Sequence, residues 1–366
     1  MSVGRRHVAV DVRMARDGGI GTYVRNVVSR VATARPSWHF TLLGSADTVA
    51  ELGWNAWPNV SVRECRSPYY TIAEQVELAA RCPGDADVFW APHYNVPLFV
   101  SAPLVVTIHD VCHLALPEAL GSSLARRYAR FLFGHIGRRA ASVLIDSEFS
   151  RAEMRRLGLS ARGTTTVAPL AADDRWFDAR ASATRRPLPE PYLVYVGNWK
   201  RHKNVPMLLR AFGLVLDRLP HRLVLIGRRE GLNADPAIAP EAERLGARCL
   251  FTGELSDDEL QRWVVHADAL VTASRYEGFG LPPLEAMACG VPCLVSSAGA
   301  LPEVCGDAAL YCDPSDVASV ASGLVTIASD NAVRQHLIAR GRTRARAFSW
   351  DRSAAVAAEA LEHAIA

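Results

Sequence analysis

The chain has 366 residues, 49% hydrophobic and 22% charged, with a formal net charge of +3. That length suits two domains, and that balance suits a soluble globular enzyme. Three surplus positive charges over such a length are too few to argue for nucleic acid, and no nucleic-acid partner is expected. Eight cysteines are present without a C-x-x-C pair, which reads as reduced thiols acting as small core residues.

The N-terminal apolar run Val8–Val12 is short and holds Asp11, so it is not a secretory h-region. The most apolar stretch, Val88–Ile108, is interrupted by His93, Asn95 and three prolines, which rules it out as a membrane span. A cytoplasmic location is expected.

Short, near-continuously apolar runs alternate with helical patterns along the whole chain. They are His7–Met14, Trp38–Gly44, Val60–Cys65, Asp87–Ala91, Leu104–His109, Ser142–Asp146 and Thr165–Pro169, then Tyr192–Gly197, Arg222–Gly227, Cys249–Gly253, Ala269–Ala273, Pro292–Ser296 and Ala309–Cys312. Such runs suit strands buried on both faces of a parallel sheet. The alternation predicts an α/β fold of two Rossmann-like, doubly wound parallel-sheet domains, with a ligand cleft at their C-terminal strand ends.

In the first half, Asp17-Gly18-Gly19-Ile20-Gly21 follows the first strand and opens a helical pattern. A loop of this kind sets backbone N–H groups against phosphate. It is not the dinucleotide fingerprint, because Val24 stands where the third glycine belongs. Further on, His109-Asp110 closes a strongly apolar strand. A histidine there faces the cleft and can bond a sugar hydroxyl, with Asp110 fixing its tautomer or binding the acceptor. The plainer alternative is a satisfied structural histidine. The one D-x-D, Asp85-Ala-Asp87, precedes a strand and reads as a polar turn.

Ala171–Pro191 is rich in arginine, aspartate and proline and lacks a sustained apolar period; it is expected to be an interdomain linker. The domains are then 1–172 and 173–348. An alanine-rich helix at 349–366, with Ser349 as its N-cap, completes the chain.

The second half holds the richest motif. After the strand Ala269–Ala273 comes Glu277-Gly-Phe-Gly-Leu-Pro-Pro-Leu-Glu285. Gly278 and Gly280 permit a tight turn, Pro282 and Pro283 suit a first helical turn, and Gly290 ends the helix. Strand, glycine loop and helix N-terminus together make a site for a diphosphate. Two carboxylates eight residues apart are suited to the vicinal hydroxyls of a ribose and a hexose. Read singly, Glu285 is a helix-dipole residue and Glu277 a solvated loop residue. The chain also has 39 arginines and only two lysines, Lys200 and Lys203, both just past the first strand of the second domain. Lysine used so sparingly points to a compact positive charge for a phosphate; a solvated basic turn is the alternative.

These residues together resemble the retaining glycosyltransferases of family 4, the glycogen-synthase-like group with the GT-B fold. The likeness runs through nearly the whole chain in order: the loop Gly18–Gly21, His109-Asp110, Gly197…Lys203-Asn204 and Glu277-x7-Glu285. The last phrase and His109-Asp-x6-Pro117 look most like bacterial mannosyltransferases that build surface polysaccharides.

The resemblance implies roles. Glu285 would hold the ribose and Glu277 the donor hexose. Phe279, Gly280 and Leu281 would offer backbone contacts, Lys203 would neutralise the diphosphate, and Gly19 would pack near the phosphates. His109 would contact the donor sugar near the reacting carbon, and Asp110 would lie on the acceptor side. Arg228 and the stretch Thr252–Glu254 would border the base, and the final helix would cross back to the first domain. Where relatives carry arginine before the phosphate lysine, this chain has His202, leaving Lys200, Arg201 or Arg228 for the second cation.

The implied donor is a nucleotide diphosphate sugar, GDP-mannose ahead of UDP-sugars, with no metal or other cofactor. The acceptor would be a glycan or lipid-linked saccharide. A nucleotide-sugar 2-epimerase and an inactive sugar-nucleotide binder are the rivals. Finally, the segment Arg126–Arg139 mixes basic and apolar residues on one helix. It reads either as peripheral contact with an anionic membrane or as a packing helix with a basic edge.

Overall fold

In a computed structural model of the chain, residues 6–116, 123–182, 185–228 and 235–366 are described. Pro117 lies outside them, so the end of the His109-Asp-x6-Pro117 phrase has no structural account. Among the described residues, every expected strand forms.

The first compact unit gathers Met1–Val111, Arg126–Leu170 and Trp350–Ala366. Its strands are β1 (His7–Asp11), β2 (His39–Gly44), β3 (Val60–Glu64), β4 (Val88–Ala91), β5 (Leu104–Ile108), β6 (Ala140–Ile145) and β7 (Thr164–Val167). They form one sheet in the order β3-β2-β1-β4-β5-β6-β7, parallel throughout. β1 and β5 are buried at every position, as strands covered by helices on both faces must be. β1 stops three residues short of the expected Met14, because Arg13 folds back to bond the Asp11 carboxylate with Nε at 2.9 Å and Nη2 at 2.7 Å. At the opposite edge of the sheet, Asp87 accepts from the His7 amide at 2.7 Å and Asp85 pairs with the His7 ring at 3.2 Å. The D-x-D therefore anchors the start of β1.

The C-terminal helix Trp350–Ile365 belongs to this unit. It buries Ala354, Ala357, Ala358 and Leu361. The Ser353 hydroxyl donates to the Pro169 carbonyl, and Arg30 and Arg35 pair with Asp351 and Glu362.

The second unit takes Cys112–Ala125 and Ala171–Ser349; its long segment begins and ends within two residues of the expected 173–348, and Cys112–Ala125 is the part not expected in it. Its strands are β8 (Tyr192–Val196), β9 (Arg222–Ile226), β10 (Cys249–Gly253), β11 (Ala269–Val271), β12 (Cys293–Ser296) and β13 (Leu310–Cys312). The order is β10-β9-β8-β11-β12-β13, again all parallel. The chain winds outward from β8 to β10 and then returns to β11 on the other side of β8. That reversal makes a topological switch point between β8 and β11, where open α/β sheets bind ligands at their carboxyl edge. The first unit has its own switch point between β1 and β4.

The expected linker is a correction. Residues Asp174–Ser182 form a helix with Trp176 and Ala179, three apart, fully buried. Gln261 donates to the Arg175 carbonyl at 2.8 Å, and Arg180 donates to the Gly290 carbonyl at 3.1 Å. The helix is short and heavily charged, so a single Trp–Ala stripe carries its packing, too little to show as an apolar period.

Candidate active site

The centre of the second unit is built at its switch point. Past β8, a 3-10 turn at Arg201–Lys203 carries the lysine. Asn204 then takes a left-handed conformation (φ 56°), one of the few non-glycine residues suited to it. Its buried side-chain amide donates to the Ala273 and Pro314 carbonyls, each at 2.9 Å. The Arg275 amide donates to the His202 carbonyl at 2.8 Å. The turn after β8 is thus stitched to the loop after β11.

This brings Lys203 onto Glu277: Nζ lies 2.7 Å from Oε2. Ser274 Oγ donates to the other carboxylate oxygen at 2.8 Å and lies 3.0 Å from Thr272 Oγ1. The Ser274 carbonyl accepts from Ser296 Oγ at 2.5 Å. The Glu277 backbone is held as well, its carbonyl accepting from the Ala300 amide at 2.9 Å. Gly299 has φ +68°, and a Cβ there would lie 2.6 Å from the Glu277 nitrogen. Only glycine lets the two segments approach so closely.

The helix after the glycine loop runs Leu281–Ala288, capped by Gly280 at φ 108°. Pro282 and Pro283 take its second and third positions, so two first-turn N–H groups are missing. The amide donors the site can offer an anion are therefore those of Phe279, Gly280 and Leu281, a narrower set than a full helix N-terminus. Glu285 is 8% exposed. Burial pushes its carboxyl up to about 8, reinforced by the Asp173 charge and only partly offset by Arg175 and the Trp176 indole. Arg228 follows β9 and pairs with Glu254, which follows β10, at 2.6 Å on the exposed edge.

In the first unit, His109 follows β5. Its Nδ1 lies 2.8 Å from Asp146 Oδ2 and its Nε2 lies 3.0 Å from the Pro92 carbonyl. The partner that fixes the ring is Asp146, at the end of β6, and not the adjacent Asp110. Burial works against a charged ring, but the Asp146 carboxylate and the Pro92 carbonyl outweigh it and raise the His109 pKa. Two acceptors on two ring nitrogens favour the imidazolium. Tyr23 packs edge-on against the ring at 4.9 Å. Gly19 sits in the first turn of the helix Gly18–Tyr23 with open space where a Cβ would stand, whereas a Cβ at Gly21 would meet the Ala15 carbonyl oxygen at 2.7 Å.

At this unit's switch point lies a buried polar cluster. Asp11 holds Arg13 and accepts from His93 Nε2 at 3.1 Å. Glu74 Oε1 receives both Arg13 Nη2 and Asn95 Nδ2 at 2.6 Å. Among the described residues, no three of His, Cys, Asp and Glu converge as metal ligands.

Residues 178–344 match the family model Glycosyl transferases group 1. The O-antigen chain mannosyltransferase B of Escherichia coli is 31% identical over 276 residues, covering 72% of this chain and 71% of that protein. The chain belongs to the group 1 glycosyltransferases. The GDP-mannose-dependent alpha-(1-6)-phosphatidylinositol dimannoside mannosyltransferase of Mycobacterium tuberculosis is 30% identical over 262 residues, covering 68% of this chain and 66% of that protein. Among solved structures, Anabaena HepE in complex with UDP-glucose superposes with a TM-score of 0.77 at 17% identity, covering 97% of this chain and 99% of that chain. The fold is GT-B, with two parallel α/β sheets.

For this glycosyltransferase, the structure brings Lys203, Glu277, Phe279, Gly280 and Leu281 to one switch point. Glu285 lies one helix turn beyond, and Arg228 on the edge of β9. Gly19, His109 and Asp110 stand at the carboxyl edge of the first unit's sheet. Several residues escaped the sequence. Ser274, Asn204 and Gly299 hold the Lys203–Glu277 pair, yet each is an ordinary loop residue until the sheet order is known. Asp173, Arg175 and Trp176 surround Glu285 from the segment taken as a linker; a buried-type tryptophan among charges was the available signal. Asp146 meets His109 across 37 residues and Glu74 meets Arg13 across 61, beyond any local pattern.

Proposed function

We propose that this glycosyltransferase moves mannose from GDP-mannose to a glycan or lipid-linked saccharide with retention of configuration, in polysaccharide or glycoconjugate synthesis. The observation that carries the reading is the Lys203–Glu277 pair at the switch point, 2.7 Å apart and beside the glycine loop. Two relatives named as mannosyltransferases, one of them GDP-mannose-dependent, support the donor.

Glu277 would take the hexose hydroxyls and Lys203 the diphosphate, with the Phe279–Leu281 amides beside it and Glu285 on the ribose. Arg228 would border the base. In the first unit, Gly19 would offer its backbone to phosphate, His109 would meet the donor sugar, and Asp110 would serve the acceptor. The acceptor oxygen bonds to the anomeric carbon as the bond from that carbon to the phosphate oxygen breaks. The acceptor's proton passes to the departing diphosphate, and attack from the leaving-group face retains configuration. Fixed positive charge and N–H dipoles at the leaving group stabilise the separating charges, so the reaction as proposed needs no metal.

The test is calorimetric titration of GDP and UDP into the purified chain without metal. Preference for GDP is expected. Preference for UDP would move the donor to UDP-sugars, and binding of neither would overturn the nucleotide-sugar reading.

A further inference from the structure

Tyr70 lies past the carboxyl end of β3, just before the helix Ile72–Arg81, and its backbone takes a positive φ of 62°. Among the described residues, Asn204 is the one other non-glycine residue that does so. Asparagine visits the left-handed region readily, whereas a bulky tyrosine there is strained. A glycine would make the same turn at no steric cost.

The strained turn is held in place. Thr71 Oγ1 donates to the Pro68 carbonyl at 2.8 Å and accepts from the Glu74 amide at 3.2 Å, which caps the helix. Thr71-Ile-Ala-Glu74 has the capping-box pattern, yet the glutamate reaches past the cap and accepts from the Tyr70 amide at 2.7 Å. Glu74 is fully buried, and its other oxygen already holds Arg13 and Asn95. A buried carboxylate bonded to three donors thus fixes the tyrosine backbone where it would not rest by itself.

The neighbouring Tyr69 is tied inward: its phenol donates to the Arg13 carbonyl at 2.7 Å, and the Arg13 guanidinium lies 5.4 Å from its ring centroid. Tyr70 instead keeps 49% of its surface exposed. Its ring stands 6.1 Å from that of Tyr94, and the two phenols share a hydrogen bond. Tyr94 stacks on Phe133 at 5.3 Å, so an aromatic row backs the Tyr70 ring. The carboxylates of Asp110 and Asp17 lie within electrostatic reach of its phenol.

We infer that Tyr70 is a stacking platform for a sugar ring of the acceptor, and so a residue that determines which acceptors the enzyme takes. The inference rests on the acceptor reading of this sheet edge. A pyranose has a face of C–H bonds, which packs on the negative face of an aromatic ring, and a rim of hydroxyls, which donate to carboxylates such as Asp17 and Asp110. The same carboxylates repel an anion, so a sugar and not a phosphate meets the ring. The strain at Tyr70 is then kept because it presents the ring, which a glycine in the same turn could not do.

The experiment is saturation-transfer NMR titration of the full chain with the methyl α-glycosides of mannose, glucose, galactose and N-acetylglucosamine. At least one should bind the natural chain. Tyr70→Asn removes the ring and suits the left-handed backbone, and it should weaken that binding about tenfold. Tyr70→Phe keeps the ring and should bind nearly as the natural chain does. Tyr70→Asn should also melt no lower than the natural chain, because it relieves the strain. A natural chain that binds none of the four, an asparagine variant that binds as well as the natural chain, or a phenylalanine variant that binds as poorly as the asparagine one would each overturn the inference. An asparagine variant that melts lower and still binds would assign the tyrosine to stability and overturn it too. GDP, titrated separately, should bind all three chains alike; saccharide binding that fails while GDP binds sinks this inference alone, whereas failure of GDP to bind the natural chain sinks the donor reading.

Discussion

Glu285 offers the sharpest test of how the second unit is built. Its carboxyl is buried and pushed up from an ordinary 4.5 to about 8. In the unfolded chain it ionises near the ordinary value. Between those pH values the unfolded state releases a proton that the folded state keeps, so stability must fall as pH rises. Below about pH 4.5 both states are protonated and Glu285 contributes nothing to the pH dependence. Each pH unit of the interval is worth ~1.4 kcal/mol, so by pH 8 the fold has lost about 5 kcal/mol to this one group. Glu285→Gln keeps the shape and removes the ionisation. Urea unfolding of both proteins from pH 5 to pH 8.5 should show the variant progressively more stable, with the two curves diverging steadily up to pH 8. Curves that run parallel would refute a protonated Glu285. The same variant should bind GDP more weakly, since ribose hydroxyls donate best to a carboxylate. Nucleotide binding by the natural chain should then release a proton, visible as a dependence of the calorimetric heat on the buffer's ionisation enthalpy.

Other perturbations address the rest of the site. Gly299→Ala places a methyl 2.6 Å from the Glu277 nitrogen at a φ of +68°. It should cost about 1–3 kcal/mol of stability and lower kcat/KM at least tenfold; full activity would show that the Glu277 backbone tolerates displacement. Lys203→Met strands the Glu277 carboxylate in a site where the pair is only 19% and 14% exposed, a loss of about 3–5 kcal/mol. Lys203→Met/Glu277→Gln should restore the melting temperature without restoring turnover, and a double variant as unstable as the single one would refute the pairing. Asp146→Asn removes the carboxylate that holds the His109 pKa up. In the natural chain the stabilisation from a charged His109 is complete below the ordinary histidine range and fades as pH rises through the raised value. In the variant that fading should begin at lower pH, read by NMR titration of the ring and by melting temperature. An unmoved His109 titration would discard the assignment.

Much of this protein was legible in its residues alone. Strands buried on both faces, such as β1, β4, β5 and β12, write themselves as continuous apolar runs; with the less buried edge strands β3, β7 and β10, all thirteen appear in the sequence to within three residues. The stretch from Glu277 to Gly290 contains its own turn chemistry: Gly280 at φ 108° opening the helix and Gly290 at φ 75° closing it. Local rules suffice there because each feature depends on neighbours a few positions away. The partnerships were not legible. Lys203 meets Glu277 across 74 residues and Asn204 bridges 69 and 110 residues to its two carbonyls, because the crossover of the sheet sets β8 beside β11. Burial, with the Asp173 charge, raises the Glu285 pKa, and Asp173 belongs to a segment whose charges made it read as a tether. His109 takes Asp146 rather than Asp110 because adjacent residues at a strand end diverge, while the ends of paired parallel strands lie side by side. Burial and strand order belong to the assembled sheet, and they determine which of the chain's many charges become a site.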